Sequence, residues 1–183
     1  MHDNTREILL NAYISERDML PTGSPEQSIF DFMYLNGARV GEALKVRPQD
    51  IDFDKGVAHI QTEKSKDIHR TTIFTPKDPN LIQSIKRACD GKQANELLWP
   101  FNHRKQPRIY VWELAQKAFK CTVHSFRHTH AIFCVRELNM TVPELMAEMG
   151  WVRWDTAKHY VKYQSLEARM KKVNDYETRR NDL

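Results

Sequence analysis

Long apolar runs are missing from this 183-residue chain. The longest are a few residues, and a helix needs about 20 to cross a bilayer, so no membrane partner is expected. The first ten residues carry Asp3, Arg6 and Glu7 and lack the apolar centre of a signal peptide. Cysteine is scarce: Cys89, Cys121 and Cys134 are odd in number and widely spaced, which reads as free thiols in a reducing compartment. A cytoplasmic protein is the expectation. A second Cys/His pair at finger spacing is absent, as is the helical zinc-protease pattern, so Cys121, His124 and His128 are not expected to hold a metal. Charge of one sign is in small excess, +4 with a pI near 8.9, which fits a polyanionic partner without requiring one.

What is present is globular. Hydrophobic residues make up 40% and charged residues 28% of a length that buries one good core, so residues 1–183 are expected to form a single domain. A first helix is expected over Thr5 to Arg17, with Ile8, Leu9, Ala12 and Tyr13 on one stripe. Ser24 before Pro25, with Gln27 three residues on, starts a second helix that Gly37 can end. Asp50 to Phe53, Val57 to Thr62 and Arg70 to Thr75 have strand texture, with a turn at Asp54-Lys55-Gly56 and a polar connection over Glu63 to His69. Helical patterns resume at Pro79, at Val111 to Phe119 and from about His124 to Leu138. Thr141 with Glu144 makes a capping box for a further helix that Gly150 can end. Asp155 is placed to cap a short helix carrying Tyr160 and Tyr163. The expected class is mainly α with a small three-stranded antiparallel sheet (α+β).

The densest polar cluster is His124-Ser-Phe-Arg127-His128-Thr-His130. On a helix, offsets of three and four put His124, Arg127 and His128 on one face. A guanidinium fork beside two imidazoles suits an oxyanion, most naturally a phosphate; a solvated helix face is the bland alternative. Arg39, in Gly37-Ala-Arg39-Val-Gly-Glu42, reads alone as half of a structural ion pair with Glu42, or as a guanidinium that Glu42 aims at a ligand. Lys64 and Lys66 read alone as solubilising loop residues, or as mobile proton donors. Tyr160, nine residues after Trp151, reads alone as packing.

The order of these clusters says more than any of them singly. Gly-x-Arg39-x-x-Glu42, then a hairpin lysine, then His124-x-x-Arg127-His128, then Gly150-Trp151 and Tyr160 resembles the catalytic signature of the tyrosine recombinase (phage integrase) family, from roughly Thr5 to Tyr163. The resemblance implies that family's catalytic-domain fold and cleavage and rejoining of double-stranded DNA without a cofactor. Arg39 and Arg127 would clamp the non-bridging oxygens of the scissile phosphate. His124 would bond the phosphate and assist proton transfer. Lys66, with Lys64 as the alternative, would protonate the departing 5′ oxygen, and Tyr160 would form a 3′-phosphotyrosine link. Glu42 would orient Arg39, and His128 would support the site from outside the phosphate contacts. Trp151 stands where most of the family has His, as in some active members; its indole can donate one hydrogen bond but cannot shuttle a proton.

The family usually carries a DNA-clamping domain before the catalytic one. No room for it is seen here, which implies weaker, more salt-sensitive DNA binding. The tail, about residues 164–183 and centred on Leu166 to Tyr176, resembles the segment that family members pass to a neighbouring protomer. That implies a homotetramer on DNA, with a monomer in isolation and a tail packed on its own domain as the other arrangement. Two other functions stay open: a topoisomerase-like enzyme that relaxes DNA without a defined site, and a DNA-binding protein that keeps only the fold.

Overall fold

The computed structural model describes residues 10–62, 69–76, 78–102, 105–164 and 170. The order is α1 (Leu10–Arg17), α2 (Pro25–Asn36), α3 (Val40–Ala43), β1 (Ile51–Asp52), β2 (Val57–Gln61), β3 (His69–Ile73), α4 (Pro79–Cys89), α5 (Pro107–Phe119), α6 (Val123–Arg136), α7 (Val142–Met149) and α8 (Trp154–Lys158), with single 3-10 turns at Pro48–Asp50 and Val161–Tyr163. The strands form an antiparallel sheet in the order β1-β2-β3, so the α+β class stands. Among the described residues, no helix is long and apolar enough to cross a membrane.

The helix around which the rest is built is α2. Ser24 Oγ accepts the Gln27 N–H at 3.1 Å, Pro25 occupies the first turn, and Gly37 stops the helix at φ +57°, a conformation costly for residues with a Cβ. Every residue from Gln27 to Asn36 is buried. Phe30 packs edge-on to Phe119 of α5 and stacks on Phe126 of α6, and Tyr34 stacks on Tyr13 of α1 at 4.4 Å. A helix buried all round must pair each polar group it carries. Asp31 accepts hydrogen bonds from Arg17 Nε at 2.9 Å, Arg17 Nη2 at 2.5 Å and the Tyr13 hydroxyl at 2.8 Å. Ser28 accepts the Trp99 indole N–H at 2.7 Å, and Asn36 accepts the Thr72 hydroxyl at 2.7 Å, fastening the end of α2 to β3.

A second, smaller apolar cluster gathers Ala131, Cys134 and Val135 of α6, Leu145 and Met149 of α7, and Ala157 of α8, with Trp151, Tyr160 and Tyr163 packed against it. Helix α6 serves both clusters, since Val123 and Phe126 belong to the larger one. The seam between the two is where the polar residues singled out in the sequence meet.

Three boundaries differ from the sequence expectation. The first strand is only Ile51–Asp52: Asp50 closes a 3-10 turn by accepting the Arg47 N–H at 2.9 Å, and Asp52 starts the next turn by accepting the Lys55 N–H at 2.9 Å. Asp155 does not cap α8. It lies inside the first turn, where a carboxylate meets the positive end of the helix, and pairs with Lys158 at 2.6 Å. Tyr160 and Tyr163 then fall outside α8, joined by a 3-10 bond from Tyr163 N–H to the Tyr160 carbonyl at 2.9 Å. The short helix α3, which the sequence did not announce, begins at Arg39.

Removal of Arg17 leaves the Asp31 carboxylate buried without its cationic partner. Arg17→Ala should therefore lose about 3–5 kcal/mol of stability, read as a lower urea midpoint at unchanged slope.

Candidate active site

Two helix ends and one strand build the site. The chain leaves α2 at Gly37 and turns into α3, whose first turn carries Glu42 back against Arg39. Glu42 Oε2 accepts the Arg39 backbone N–H at 2.9 Å, and Oε1 accepts Arg39 Nη1 at 2.6 Å. The same carboxylate accepts Arg70 Nη2 from β3 at 3.2 Å and lies 3.8 Å from Arg127 Nη1 of α6. The Glu42 side chain is fully buried, Arg70 and Arg127 nearly so, and Arg39 is 25% exposed. Of the three guanidiniums, Arg39 is the one that reaches solvent.

Burial pushes the Glu42 pKa upward, but Arg70, the Arg39 N–H, Arg127 and the Arg39 guanidinium outweigh it and hold the carboxyl below its usual range. Burial lowers Arg127 to about 9, helped by repulsion from Arg70 and Arg39, which leaves it cationic at neutral pH. Arg127 is aimed by two backbone carbonyls: Nη1 donates to Gly37 at 2.7 Å and Nη2 to Met149. Its guanidinium lies over the Trp151 ring, 5.5 Å from the centroid.

Trp151 in turn stacks on Tyr160, ring centroids 5.2 Å apart and planes 28° apart. The Tyr160 hydroxyl sits 3.0 Å from His128 Nδ1. His128 thus touches the phenol itself, a closer part than the supporting one expected from the sequence. Tyr163 packs edge-on to His128 at 6.1 Å. His124 is exposed on the first turn of α6, three and four residues from Arg127 and His128. Arg39, Glu42, Arg127, His128, Trp151 and Tyr160 therefore form one connected set, with His124 at its rim. Lys64 and Lys66 lie outside the described residues, as does the tail from Leu166 apart from Met170. Among the described residues no group of three or more His, Cys, Asp or Glu could hold a metal ion; Cys121 is buried in the main core.

Sequence reasoning missed Arg70 as a member of the cluster, and with it Glu148 and His130. Arg70 Nη1 donates to the Glu148 carbonyl, and the Glu148 carboxylate accepts the Ile73 N–H and faces His130 Nε2 at 3.2 Å. A signal existed: Arg70 alternates with Thr72 on the buried face of β3, and an arginine on a core-facing strand position requires a buried acceptor.

Because the Glu42 pKa is depressed by folding, its carboxylate adds stability that is present above the unfolded value of about 4.3 and lost as pH falls through the lower folded value. Glu42→Gln should remove that acid-side dependence and, by leaving three guanidiniums without their shared carboxylate, cost about 3–5 kcal/mol at pH 7. Urea melts across pH 3 to 7 check both.

Comparison with known proteins identifies the fold and the family. Among solved structures the fold is similar to XerA recombinase, with a TM-score of 0.63 at 18% identity over 96% of this chain and 64% of that one. It is also similar to the XerH site-specific recombinase bound to difH substrate, with a TM-score of 0.62 at 15% identity over 81% of this chain and 47% of that one. The Tn1549 transposon integrase in complex with circular intermediate DNA gives 0.63 at 13% identity over 94% and 67%. The chain thus spans about two thirds or less of the length of these relatives. No curated protein sequence matches it. The sequence pattern of the phage integrase family matches residues 3–167, nearly the whole chain, and this protein belongs to that family.

Proposed function

We propose that the protein cleaves and rejoins duplex DNA at specific sites through a covalent 3′-phosphotyrosine intermediate on Tyr160. The observation that carries this reading is one adjacency: a phenol hydrogen-bonded to His128 and stacked on Trp151, whose ring also carries the cationic Arg127, which shares Glu42 with Arg39. Three guanidiniums share one buried carboxylate, Glu42, and the surplus positive charge suits a bound phosphate.

In the proposed step the Tyr160 oxygen attacks phosphorus and gives its proton to His128 Nδ1. Arg39 and Arg127 neutralise the charge that builds on the non-bridging oxygens. The bond from phosphorus to the 5′ oxygen breaks, and that oxygen takes a proton from Lys66, or from Lys64 in its place. His124, at the rim, bonds the phosphate. The phosphotyrosine keeps the energy of the broken diester, so the reverse attack by a 5′ hydroxyl reseals the strand with no external energy source. The XerH and Tn1549 structures named above hold DNA, which supports duplex DNA as the partner.

Recombination of two duplexes calls for four protomers in a closed ring. An apolar groove of about 220 Å³, lined by Val135, Met140, Val142, Leu145, Ala157 and Val161, supports this arrangement as the seat for a neighbour's tail, in which Leu166, Met170 and Val173 recur at helical spacing.

The test is covalent capture from a pool of nicked duplexes of randomised sequence, followed by denaturing electrophoresis and sequencing of the trapped DNA. The wild-type protein should give a shifted band, Tyr160→Phe none, and Tyr163→Phe a band like wild type. Recovery of a shared sequence supports site-specific action. Trapping without any shared sequence points to a relaxing enzyme instead, and a band that survives Tyr160→Phe overturns the assignment. With the recovered site, Arg127→Ala should cleave about 10²- to 10³-fold more slowly, the cost of losing one preorganised charge donor.

A further inference from the structure

The mechanism uses neither His130 nor Glu148, yet both are buried, at 1% and 5% exposure, among charged neighbours. A carboxylate in such a place is costly unless it is bonded, and Glu148 is bonded at three points. Its carboxylate accepts the Ile73 N–H at 3.2 Å, on the edge of β3 that no strand covers. The same carboxylate accepts His130 Nε2 at 3.2 Å, and its backbone carbonyl accepts Arg70 Nη1. Burial lowers the His130 pKa, which favours the neutral ring with Nε2–H donating to Glu148; among the described residues Nδ1 has no hydrogen-bond partner.

The other face of the His130 ring lies against Gly37 so closely that a Cβ there would sit 2.6 Å from His130 Cδ2. Gly37 and Met149 are the two residues whose carbonyls hold Arg127. One carbonyl therefore belongs to the residue that His130 presses upon, and the other to the residue after Glu148. We propose that the His130–Glu148 pair is a positioning device for Arg127, bracing both jaws of the carbonyl clamp that aims this guanidinium at the scissile phosphate. The device acts through the backbone and touches no reacting atom. Its catalytic consequence rests on the recombinase reading, but its effect on Arg127 does not.

Two measurements test it on the full chain. The first is the side-chain ¹⁵N–¹H spectrum of Arg127, assigned by comparison with Arg127→Lys. Two fixed carbonyl bonds hinder guanidinium rotation, so wild type should show separate signals for the two Nη groups, and Glu148→Leu should merge them. Glu148→Gln should keep them separate, since its amide carbonyl still accepts Ile73 N–H and its NH₂ can donate to the other His130 tautomer. The second is single-turnover cleavage of the duplex recovered by covalent capture, with a phosphodiester or a methylphosphonate at the scissile position. The methylphosphonate carries less charge for Arg127 to neutralise. Misaiming by Glu148→Leu should slow the phosphodiester about 10- to 100-fold and leave the methylphosphonate near wild type, while Glu148→Gln restores both. His130→Phe keeps the bulk against Gly37 but loses the bond to Glu148, and should move both readouts in the same direction even if the leucine variant does not fold. Separate Arg127 signals in both Glu148→Leu and His130→Phe, or equal slowing on both substrates, would overturn the proposal. Failure of the wild type to trap any DNA would sink the recombinase reading alone, and the Arg127 spectra would still decide the positioning.

Discussion

Glu42 holds three guanidiniums that would otherwise repel one another, two of them in a place water barely reaches. Like charges a few ångströms apart in a poorly polarisable interior cost several kcal/mol, and one carboxylate shared among them offsets much of that cost. Backbone supplies the remainder. Carbonyls at the end of an α-helix have no partner within the helix and carry its negative pole. The last turn of α7 presents Glu148 and Met149 carbonyls to Arg70 and Arg127, and the stop of α2 presents the Gly37 carbonyl to Arg127. Two helix ends thus converge on the cations and neutralise them in part while leaving Arg39 facing outward. The left-handed glycines at 37 and 150 are part of this arrangement, because a Cβ at Gly150 would stand 2.7 Å from Arg70 Cδ, as one at Gly37 would from His130.

The residues of the candidate site that the sequence named were legible as a series, and their neighbours were not. Arg39, His124, Arg127, His128, Trp151 and Tyr160 sit in short local patterns that were ambiguous one by one, and the resemblance of their order to a family signature singled them out. Arg70 and Glu148 are 78 residues apart and joined by one carbonyl bond; nothing local to either reports the other. What could be read was weaker, namely the alternation that turns Arg70 inward with Thr72 on β3. His130 was visible within the histidine-rich run, but its role depends on Gly37, which lies on a different helix end.

Elements were legible where caps are chemical and uncertain where they are short. Ser24, Gly37, Thr141 and Gly150 act at the boundaries their chemistry indicates. The short pieces moved: β1 shrank because two aspartates bonded the nearest backbone N–H instead of leaving it to a ladder, and α8 began early because Asp155 found Lys158. The correction at α8 has chemical weight, since it takes Tyr160 off a regular helix and lets its ring lie against both Trp151 and His128.

The two apolar clusters differ greatly in size, and the phenol belongs to the lesser one. Ala157 is the only buried residue of α8, and the turn at Val161–Tyr163 buries none. Opening free energies follow buried apolar contact, so among the described residues of the site the stretch bearing Tyr160 is the cheapest to lift away, while Arg70 and Arg127 stay bonded to buried backbone carbonyls. The Tyr160 ring and the guanidinium cluster are thereby uncoupled thermally: the buried charges persist through excursions that carry the phenol away from His128 and Trp151. Under the proposed mechanism, the seating of a few side chains against α6 and α7 would set when the phenol is in place, without disturbing the buried charges.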